Sequence, residues 1–348
     1  MIMSDTLNTD NFNSDIFKSD CSETKMMENT DVDIDVDVNV DVGVGTDVDI
    51  RNDIGNDVET NIRKPFPVYT NLVLSGGSVR GISIVGALKE LVDRELINFS
   101  KLKSVTGTSA GAMCGILIVL GYNANEIKDI IYSLDMAKQV RPELPLLLKK
   151  FGVDDGQIIR NFFEDRIVEK TNNRHINFKQ LYDLTQIHLT IVASCLTTKI
   201  VSYFDHINTP FLSVAVALRA SFSMPGFFTP VTINNQIYID GGILNNYAMN
   251  LHESELDNTI GILVSYDYDT NYNCLEEYIA AVLNLFMHEH YYKTIDKYAN
   301  STVYITKCPE NVSTFNFNIT SELKNKLLEC GCEAAKQFEN MLEKKFVR

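Results

Sequence analysis

The sequence is short of positive charge. Its 348 residues include 31 lysines and arginines but 46 aspartates and glutamates, which gives a net charge of −15. A nucleic-acid backbone is bound through a basic face, because its phosphates are negatively charged. The charge balance therefore argues against nucleic acid as a partner.

Long apolar runs and an ordered cysteine pattern are also missing. No stretch reaches the roughly 20 apolar residues of a transmembrane helix. The opening residues, MIMSDTLNTD, have neither the basic start nor the apolar run of a signal peptide. The seven cysteines are irregularly spaced, which favours neither a disulfide framework nor a zinc site. We therefore expect a soluble, cytoplasmic protein.

The negative charge is concentrated near the N-terminus. Residues 1–64 hold 16 acidic and 5 basic side chains, whereas residues 65–348 hold 30 and 26. Asp31–Ile50 alternates apolar residues with aspartate or asparagine, but aspartate disfavours strands and a lone charged ribbon has no partner. This run also lacks the glutamate-terminated loop of an EF-hand calcium site. We predict a disordered acidic tail over 1–64 and one folded domain over 65–348.

Within the domain, short β-rich runs alternate with helical ones. Strands are predicted at YTNLVLS, LKSVTG, HLTIVASCL, IVSYFD, NNQIYID and TIGILVSYDY, and helices at intervals between and after them. This alternation is typical of an α/β fold with a mainly parallel sheet covered on both faces. Ligand sites in such folds lie at the carboxyl ends of the strands.

A serine lies in one of the turns that follow these strands. The stretch VTGTSAGA places Ser109 between Gly107 and Gly111, after a predicted strand and before an apolar helix. This G-x-S-x-G spacing is typical of a nucleophile elbow, a sharp strand-to-helix turn that exposes the serine hydroxyl. The alternative is a turn of small residues that only lets the helix pack on the sheet.

A second glycine-rich turn, SGGSVRG, follows the first predicted strand. Backbone N–H groups of Gly76, Gly77 and Ser78 can converge there on a phosphate or a developing oxyanion, just before a helix. A dinucleotide fingerprint is disfavoured, because Ser78 replaces its second glycine. Next to Gly81, Arg80 has three possible roles: holding the loop, meeting an anionic head group, or forming a surface ion pair.

A nucleophilic serine needs a proton acceptor. None of the six histidines follows a predicted strand in a turn of small residues, where the base of a serine hydrolase usually lies. The stretch YIDGG is a better candidate, because Asp240 ends a strand and Gly241 and Gly242 leave room for a substrate. The alternative is that Asp240 only stabilises a turn, as aspartate often does before glycine.

Four blocks together resemble the patatin-like phospholipase family. LSGGSVRG, GTSAG, RASFSMPGFFTPV and YIDGGILNN occur in the order and approximate spacing of that family, between Leu72 and Asn246. The resemblance implies a three-layer α/β/α sandwich, with a motif-bearing core over 72–250 and C-terminal strands and helices over 251–348. It also implies a Ser-Asp dyad without histidine: Ser109 as nucleophile and Asp240 as proton acceptor.

The resemblance further implies an oxyanion loop formed by Gly76, Gly77 and Ser78. Two positions depart from the family pattern. Ser78 stands where the family usually has a third glycine, and Tyr247 follows the paired asparagines where many members have proline. Neither change removes a catalytic group, so we expect an active enzyme.

The expected activity is that of a lipid acyl hydrolase. Asp240 would accept the Ser109 proton during attack on a fatty-acyl ester, and water would release the acyl group. The substrate would be a phospholipid or another acyl lipid, and no metal or cofactor is required. Two alternatives remain open: an acyltransferase that uses the same serine, and a catalytically silent lipid-binding protein.

One further segment suggests contact with a membrane. RPELPLLLKKF, Arg141–Phe151, places leucines beside Lys149 and Lys150, a composition that suits a lid or a peripheral membrane contact. Its two prolines predict no regular helix across its first half. The alternative is a core-packed connection between helices.

Overall fold

The structure is a computed structural model that describes residues 66–134, 143–265, 278, 281–283, 285, 295–306, 308–309 and 319–346. The acidic tail predicted over 1–64 lies outside these residues, as do 141 and 142 of the segment predicted to contact membranes. Within the described ranges, no helix is both long and apolar enough to cross a membrane.

A mixed β-sheet forms the centre of the domain. Strands β1 and β2 carry the two glycine-rich turns at their carboxyl ends, and β8 ends at Asp240. The strands are β1 (Asn71–Leu74), β2 (Ser104–Thr108), β3 (Gly152–Asp154), β4 (His188–Cys195), β5 (Ile200–Phe204), β6 (Gly226–Phe228), β7 (Val231–Ile233), β8 (Gln236–Asp240), β9 (Thr259–Val264) and β10 (Thr302–Ile305).

The order across the main sheet is β10-β9-β1-β2-β4-β8-β7, and β5 also pairs with β4. The pairs from β10 to β4 are parallel, whereas β5 and β8 run antiparallel to β4, and β7 runs antiparallel to β8. Strands β3 and β6 form a separate two-stranded parallel sheet. The prediction of a mainly parallel sheet is therefore confirmed.

Helices cover both sides of this sheet, which confirms the predicted α/β/α class. The helices are α1 (Ile82–Asp93), α2 (Ala110–Val119), α3 (Ala124–Ser133), α4 (Leu144–Lys150), α5 (Gln157–Thr171), α6 (Phe178–Thr185), α7 (Val214–Ser221), α8 (Gly242–Asn245) and α9 (Ser321–Phe346). Short 3₁₀ segments lie at Ser78–Gly81, Phe99–Lys101, Met249–Asn258 and Ala299–Ser301.

The core lies where the central strands meet the most apolar helix. Strands β1 and β9 are buried at every position, and α2 is buried from Gly111 to Val119. Such continuous burial is expected when a parallel strand is covered on both faces. The elbow that carries Ser109 lies between β2, which is buried from Val105 to Thr108, and the buried helix α2.

Helix α4 corrects one expectation. Prolines 142 and 145 were expected to prevent a regular helix in the first half of this segment, yet α4 begins at Leu144. Pro145 lies in its first turn, where the missing N–H costs no intrahelical hydrogen bond. That prediction was wrong because it treated proline as a helix breaker at every position.

Tyr247 has a packing role. Its hydroxyl forms a 2.8 Å hydrogen bond with Thr302 Oγ1 on β10, and its ring lies so close to Gly261 on β9 that a Cβ there would lie 1.7 Å from the hydroxyl oxygen. The residue thus connects the segment after Asp240 to the β9–β10 edge of the sheet.

Candidate active site

Ser109 lies in a sharply bent turn between β2 and α2. Its φ and ψ are 50° and −116°, a conformation that non-glycine residues rarely adopt. A Cβ on Gly107 would lie 2.6 Å from Ala112 Cα, and one on Gly111 would lie 2.4 Å from Leu74 O. Both glycines are therefore required for the elbow to fold this tightly.

The backbone of Ser109 is held by a residue that sequence reasoning missed. The Ser109 N–H donates to Ser221 Oγ at 2.8 Å, and the Ser221 hydroxyl donates to Val192 O on β4 at 2.6 Å. Ser221 is fully buried at the end of α7. It lies in the RASFSMPGFFTPV block, where a small polar residue in an apolar helix was the available signal.

The structure brings Asp240 to the Ser109 hydroxyl. Ser109 Oγ donates to Asp240 Oδ2 at 2.7 Å, and the Gly242 N–H donates to the other carboxylate oxygen at 2.7 Å. Gly241 fits because a Cβ there would lie 2.3 Å from Val192 O. Two motifs 131 residues apart therefore meet in one hydrogen bond.

The environment of Asp240 makes it a stronger base than an ordinary aspartate. The carboxylate is 2 % exposed, and burial raises the pKa of Asp240 to about 6, against the lowering effect of hydrogen bonds from Gly242 and Ser109. A carboxylate with this pKa is mostly ionised at neutral pH and accepts a proton more readily than an exposed one.

A buried arginine fixes the loop that follows α7. Arg219 donates to the Asp155 carbonyl at 2.8 Å, to Ser223 Oγ at 2.6 Å and to the Thr229 carbonyl at 2.7 Å. Burial lowers its pKa to about 10. Ser223 in turn accepts the Asp240 N–H through its carbonyl at 2.9 Å, so Arg219 supports the strand end that carries the carboxylate. No local sequence pattern indicates this network.

The glycine-rich turn after β1 lies against the elbow. A Cβ on Gly76 would lie 2.4 Å from Asn246 Oδ1 and 3.4 Å from Ser109 Cβ, and one on Gly81 would lie 2.5 Å from Ala110 Cβ. Gly77, between them, is also buried. Ser78 has a φ of 49°, which a glycine would adopt without strain. The loop predicted to stabilise an oxyanion is thus adjacent to the serine.

Arg80 is buried, with only 7 % of its surface exposed. Its carbonyl accepts a hydrogen bond from the Ser83 hydroxyl at 2.6 Å in the first turn of α1. The side chain is thus enclosed next to the glycine-rich turn, and the role of Arg80 stays a prediction.

The histidines in the described ranges have other partners. His252 Nε2 lies 3.1 Å from Thr106 Oγ1, and His188 Nε2 lies 3.8 Å from Asp205 Oδ2. His206 stacks on Tyr182 with the ring centres 3.7 Å apart. Residues 288 and 290 lie outside the described ranges. None of the described histidines forms a hydrogen bond with Ser109 or Asp240.

Ser109 and Asp240 open into a cleft with a mostly apolar lining. Helices α1, α2, α3 and α9 contribute to its walls together with the loop after α7. The apolar lining residues are Val79, Ile82, Ala110, Met113, Cys114, Ile131, Leu134, Phe222, Met224, Phe227, Phe228 and Ile319. Such a lining suits a hydrocarbon chain better than a polar substrate. Across the part of the chain that the structure describes, no cluster of three or more acidic, histidine or cysteine residues could hold a metal ion.

The fold is therefore an α/β sandwich whose serine elbow and buried aspartate meet beside an apolar cleft. The sequence profile of the family described as "Patatin-like phospholipase" matches residues 72–251, about half of the chain. The chain belongs to the patatin-like phospholipase family, as the four motif blocks indicated.

Two viral proteins are similar in sequence. "Uncharacterized protein R571" from Acanthamoeba polyphaga mimivirus is 30% identical over 281 residues, which cover 77% of this chain and 92% of that protein. "Probable lipid hydrolase 463L" from Invertebrate iridescent virus 6 is 28% identical over 203 residues, which cover 57% of this chain and 67% of that protein.

One solved structure is similar in fold. VipD from Legionella pneumophila aligns with a TM-score of 0.55 at 17% sequence identity, over 79% of this chain and 67% of that chain. At this identity, the likeness concerns the fold alone.

Proposed function

We propose that the protein is a lipid acyl hydrolase in which Ser109 is the nucleophile and Asp240 the proton acceptor. The observation that carries this proposal is the 2.7 Å hydrogen bond from the serine hydroxyl to a buried carboxylate, at the wall of an apolar cleft. The name of the similar iridescent-virus protein, a probable lipid hydrolase, supports the same reaction class.

In the first step, Asp240 takes the hydroxyl proton as Ser109 Oγ attacks the ester carbonyl carbon. A pKa of about 6 for Asp240 suits this transfer, because the carboxylate is ionised at neutral pH and still attracts a proton. The carbonyl oxygen then carries a negative charge. The Gly76 N–H donates to Asn246 O at 3.2 Å, so stabilisation of this charge is assigned to the backbone N–H groups of Gly77 and Ser78 and to the N-terminus of α2.

In the second step, the bond from the carbonyl carbon to the alcohol oxygen breaks. The proton on Asp240 goes to the leaving alcohol, and the acyl group remains on Ser109 as an ester. Water then attacks this acyl-enzyme while Asp240 takes one of its protons. The fatty acid leaves, the serine regains its proton, and no metal or cofactor is needed.

The apolar cleft would bind the fatty-acyl chain. Phe222, Met224, Phe227 and Phe228 belong to the loop and helix end that Arg219 holds in place. Each buried methylene group contributes about 0.8 kcal/mol to binding. The chain length that the enzyme prefers would therefore reflect the size of this cleft.

We further propose that the tip of α4 touches the lipid surface. Leu148 and Phe151 are 78 % and 70 % exposed, and exposed Lys149 and Lys150 lie between them, a charge pattern that fits anionic lipid. The tip is tied to the cleft wall, because the Gly226 N–H donates to Phe151 O at 3.3 Å. Docking by this tip would bring the cleft to the membrane.

A vesicle-sedimentation assay tests the α4 tip. The variant Leu148→Ser/Phe151→Ser should bind phosphatidylcholine–phosphatidylserine vesicles several-fold more weakly while cleaving a soluble ester normally. The control Ile207→Ser/Phe211→Ser changes residues that are 68 % and 82 % exposed elsewhere and should bind like the wild type. If both variants lost vesicle binding equally, or if neither lost any, the α4 tip would be ruled out as the membrane contact.

The hydrolase itself is tested by measuring fatty-acid release from a panel of lipids. Purified protein should release fatty acid from phospholipid, lysophospholipid or glyceride substrates, and Ser109→Ala should not. If added glycerol or lysolipid diverts most of the acyl groups to a new ester, the enzyme is an acyltransferase. If the protein turns over no lipid and no soluble ester, the proposed reaction is disproved, and a catalytically silent lipid-binding protein is the alternative that remains.

A further inference from the structure

The cleft beside Ser109 and Asp240 contains a positive charge far away in the sequence. Among the described residues that line it, only four have polar side chains: Ser78, Ser109, Asp240 and Lys324. Lys324 lies in α9, 215 positions after the serine. It is the one cation among these lining residues, in a chain whose net charge is −15.

The ammonium group of Lys324 has no counter-ion within the described ranges. Its Nζ donates to the Tyr132 carbonyl at 2.7 Å and lies 5.1 Å from the centre of the Tyr132 ring. On the same helix, the exposed Lys326 is paired with Glu322 at 2.7 Å. An ammonium has three donors, so Lys324 keeps donor capacity that its known contacts do not use.

This position differs from that of a surface lysine. Lys324 is half-buried, and the residues that line the cleft beside it are mostly apolar. A partly desolvated cation attracts an anion more strongly than an exposed one, because the effective dielectric constant is lower. A compact ammonium on a flexible stem binds phosphate as a point charge.

We propose that Lys324 binds an anionic oxygen of the substrate, a phosphate or a carboxylate, while the ester lies at Ser109. This inference rests on the proposed hydrolase function and narrows its substrate class. The enzyme then prefers acyl esters with a negatively charged group over uncharged esters that have the same acyl chains. Lys324 is a specificity-determining residue, and the chemical step stays with Ser109 and Asp240.

The test uses soluble substrates below their critical micelle concentrations, so that membrane binding does not contribute. Dihexanoyl-phosphatidylglycerol supplies a phosphate, the succinate monoester of dihexanoylglycerol supplies a carboxylate, and dihexanoylglycerol is uncharged. In Lys324→Met, kcat/KM for the charged substrates should fall about tenfold or more, as expected for a lost charged hydrogen bond. The value for dihexanoylglycerol should stay within about twofold of the wild type.

Two further variants separate charge from structure. Lys324→Arg should keep most of the preference for the charged substrates. Lys326→Met is the control: Lys326 is exposed on the same helix and paired with Glu322, so its loss should leave kcat/KM for all three substrates unchanged. A larger effect on the phosphate ester than on the carboxylate ester would identify the anion. Equal losses on charged and uncharged esters in Lys324→Met would instead show a structural role through Tyr132 and overturn the proposal.

A binding measurement keeps this inference separate from the hydrolase proposal. In the Ser109→Ala background, calorimetry should detect hexyl phosphate or hexanoate binding, and the added change Lys324→Met should weaken it about tenfold. Undiminished binding in the double variant would overturn the role of Lys324. Absent ester turnover in the wild type with intact Lys324-dependent binding would overturn only the hydrolase.

Discussion

Asp205 and Asp240 are two buried carboxylates at the ends of strands in one sheet, yet their pKa values are shifted in opposite directions. Asp205 directly follows β5 and is 4 % exposed, and Asp240 ends β8 and is 2 % exposed. The pKa of Asp205 is lowered to about 2, whereas the pKa of Asp240 is raised to about 6. Both side chains are nearly inaccessible to solvent, but Asp240 lies deeper in the protein, so burial raises the pKa of Asp240 more than that of Asp205.

The number of hydrogen-bond donors is the second cause of the difference in pKa. Burial works against ionisation of Asp205, but hydrogen bonds from His188, Asn208 and Ile207 outweigh it. The N–H groups of Ile207 and Asn208 lie 2.8 and 2.7 Å from Oδ1, and Asn208 Nδ2 lies 2.7 Å from Oδ2. Among the residues that the structure describes, the Asp240 carboxylate accepts hydrogen bonds only from Gly242 N and Ser109 Oγ. A carboxylate with few donors remains a base, and one with many becomes a structural anion.

The largest expected effect is on catalysis. Ser109→Ala and Asp240→Asn should each lower ester turnover by at least about 10³-fold, and the double variant should be little worse, because residues that act as a unit lose activity non-additively. Turnover of a soluble ester is the measurement.

His188→Gln and His252→Gln serve as controls and should keep most of the activity, since neither residue touches the dyad. An active Asp240→Asn with an inactive histidine variant would mean that a histidine is the base. The raised pKa of Asp240 would then have no role in catalysis.

The second prediction concerns Asp205 and stability. Asp205→Ala should lower the free energy of unfolding by about 2–4 kcal/mol, because it removes charge-assisted hydrogen bonds that hold the turn after β5. Activity per folded molecule should remain. Urea unfolding at pH 7 and active-site titration measure the two quantities.

The pH dependence of this stability has a definite sign. The folded pKa of about 2 lies below the usual value near 3.9, so the Asp205 contribution is present above about pH 4 and is lost as the pH falls towards 2. Asp205→Asn should therefore flatten the acid limb of the stability curve. An unchanged acid limb would mean that other carboxylates control acid unfolding.

The third prediction concerns Asp240, where the pH dependence of stability has the opposite sign. Its folded pKa of about 6 lies above the usual value near 3.9, so ionisation destabilises the fold as the pH rises from about 4 to 6. Asp240→Asn should be more stable than the wild type at pH 7.5, by up to about 3 kcal/mol. Near pH 4 the gain should disappear.

Thermal unfolding of wild type and Asp240→Asn at both pH values checks this. A variant that melts lower than the wild type at pH 7.5 would show that the carboxylate is structural, like Asp205. In the variant, the amide oxygen can accept the Gly242 N–H and the amide NH2 can donate to Ser109 Oγ, so both positions keep a partner and lost hydrogen bonds should not mask the effect.

Several of these features could be predicted from the sequence because they depend on local rules. The glycines around Ser109 are needed by a bend of a few residues, and a strand followed by glycine predicts where Asp240 turns. The sheet also followed from alternating runs of residues. The residues alone made Asp240 the better candidate for the proton acceptor of Ser109, and the resemblance to a known family implied the same pairing.

Other features could not be predicted because distant segments create them. Ser221 bridges the elbow to β4, Arg219 fixes the loop after α7, and Lys324 enters the cleft from the last helix. Their sequence neighbourhoods are those of ordinary helices. The glycines after Asp240 marked this residue in the sequence, whereas the donors that lower the pKa of Asp205 became apparent only in the structure.

The smallest expected effect is at Ser78. Its φ of 49° is one that costs a non-glycine residue about 1–2 kcal/mol, and Ser78→Gly relieves this strain while adding flexibility to the unfolded chain. The net change in unfolding free energy should be within about 1 kcal/mol. Its backbone N–H is kept, so turnover should stay within about threefold.

Asn172→Gly is the matched control, because Asn172 has a φ of 54° at the end of α5, away from the cleft-lining residues. It should change stability by a similar amount and leave turnover unchanged. If Ser78→Gly lowered turnover more than tenfold at unchanged stability, the Ser78 hydroxyl would take part in the reaction. The oxyanion would then be stabilised by the Ser78 side chain as well as by backbone donors, and Asp240 and Ser109 would not be the only polar side chains that act in the reaction.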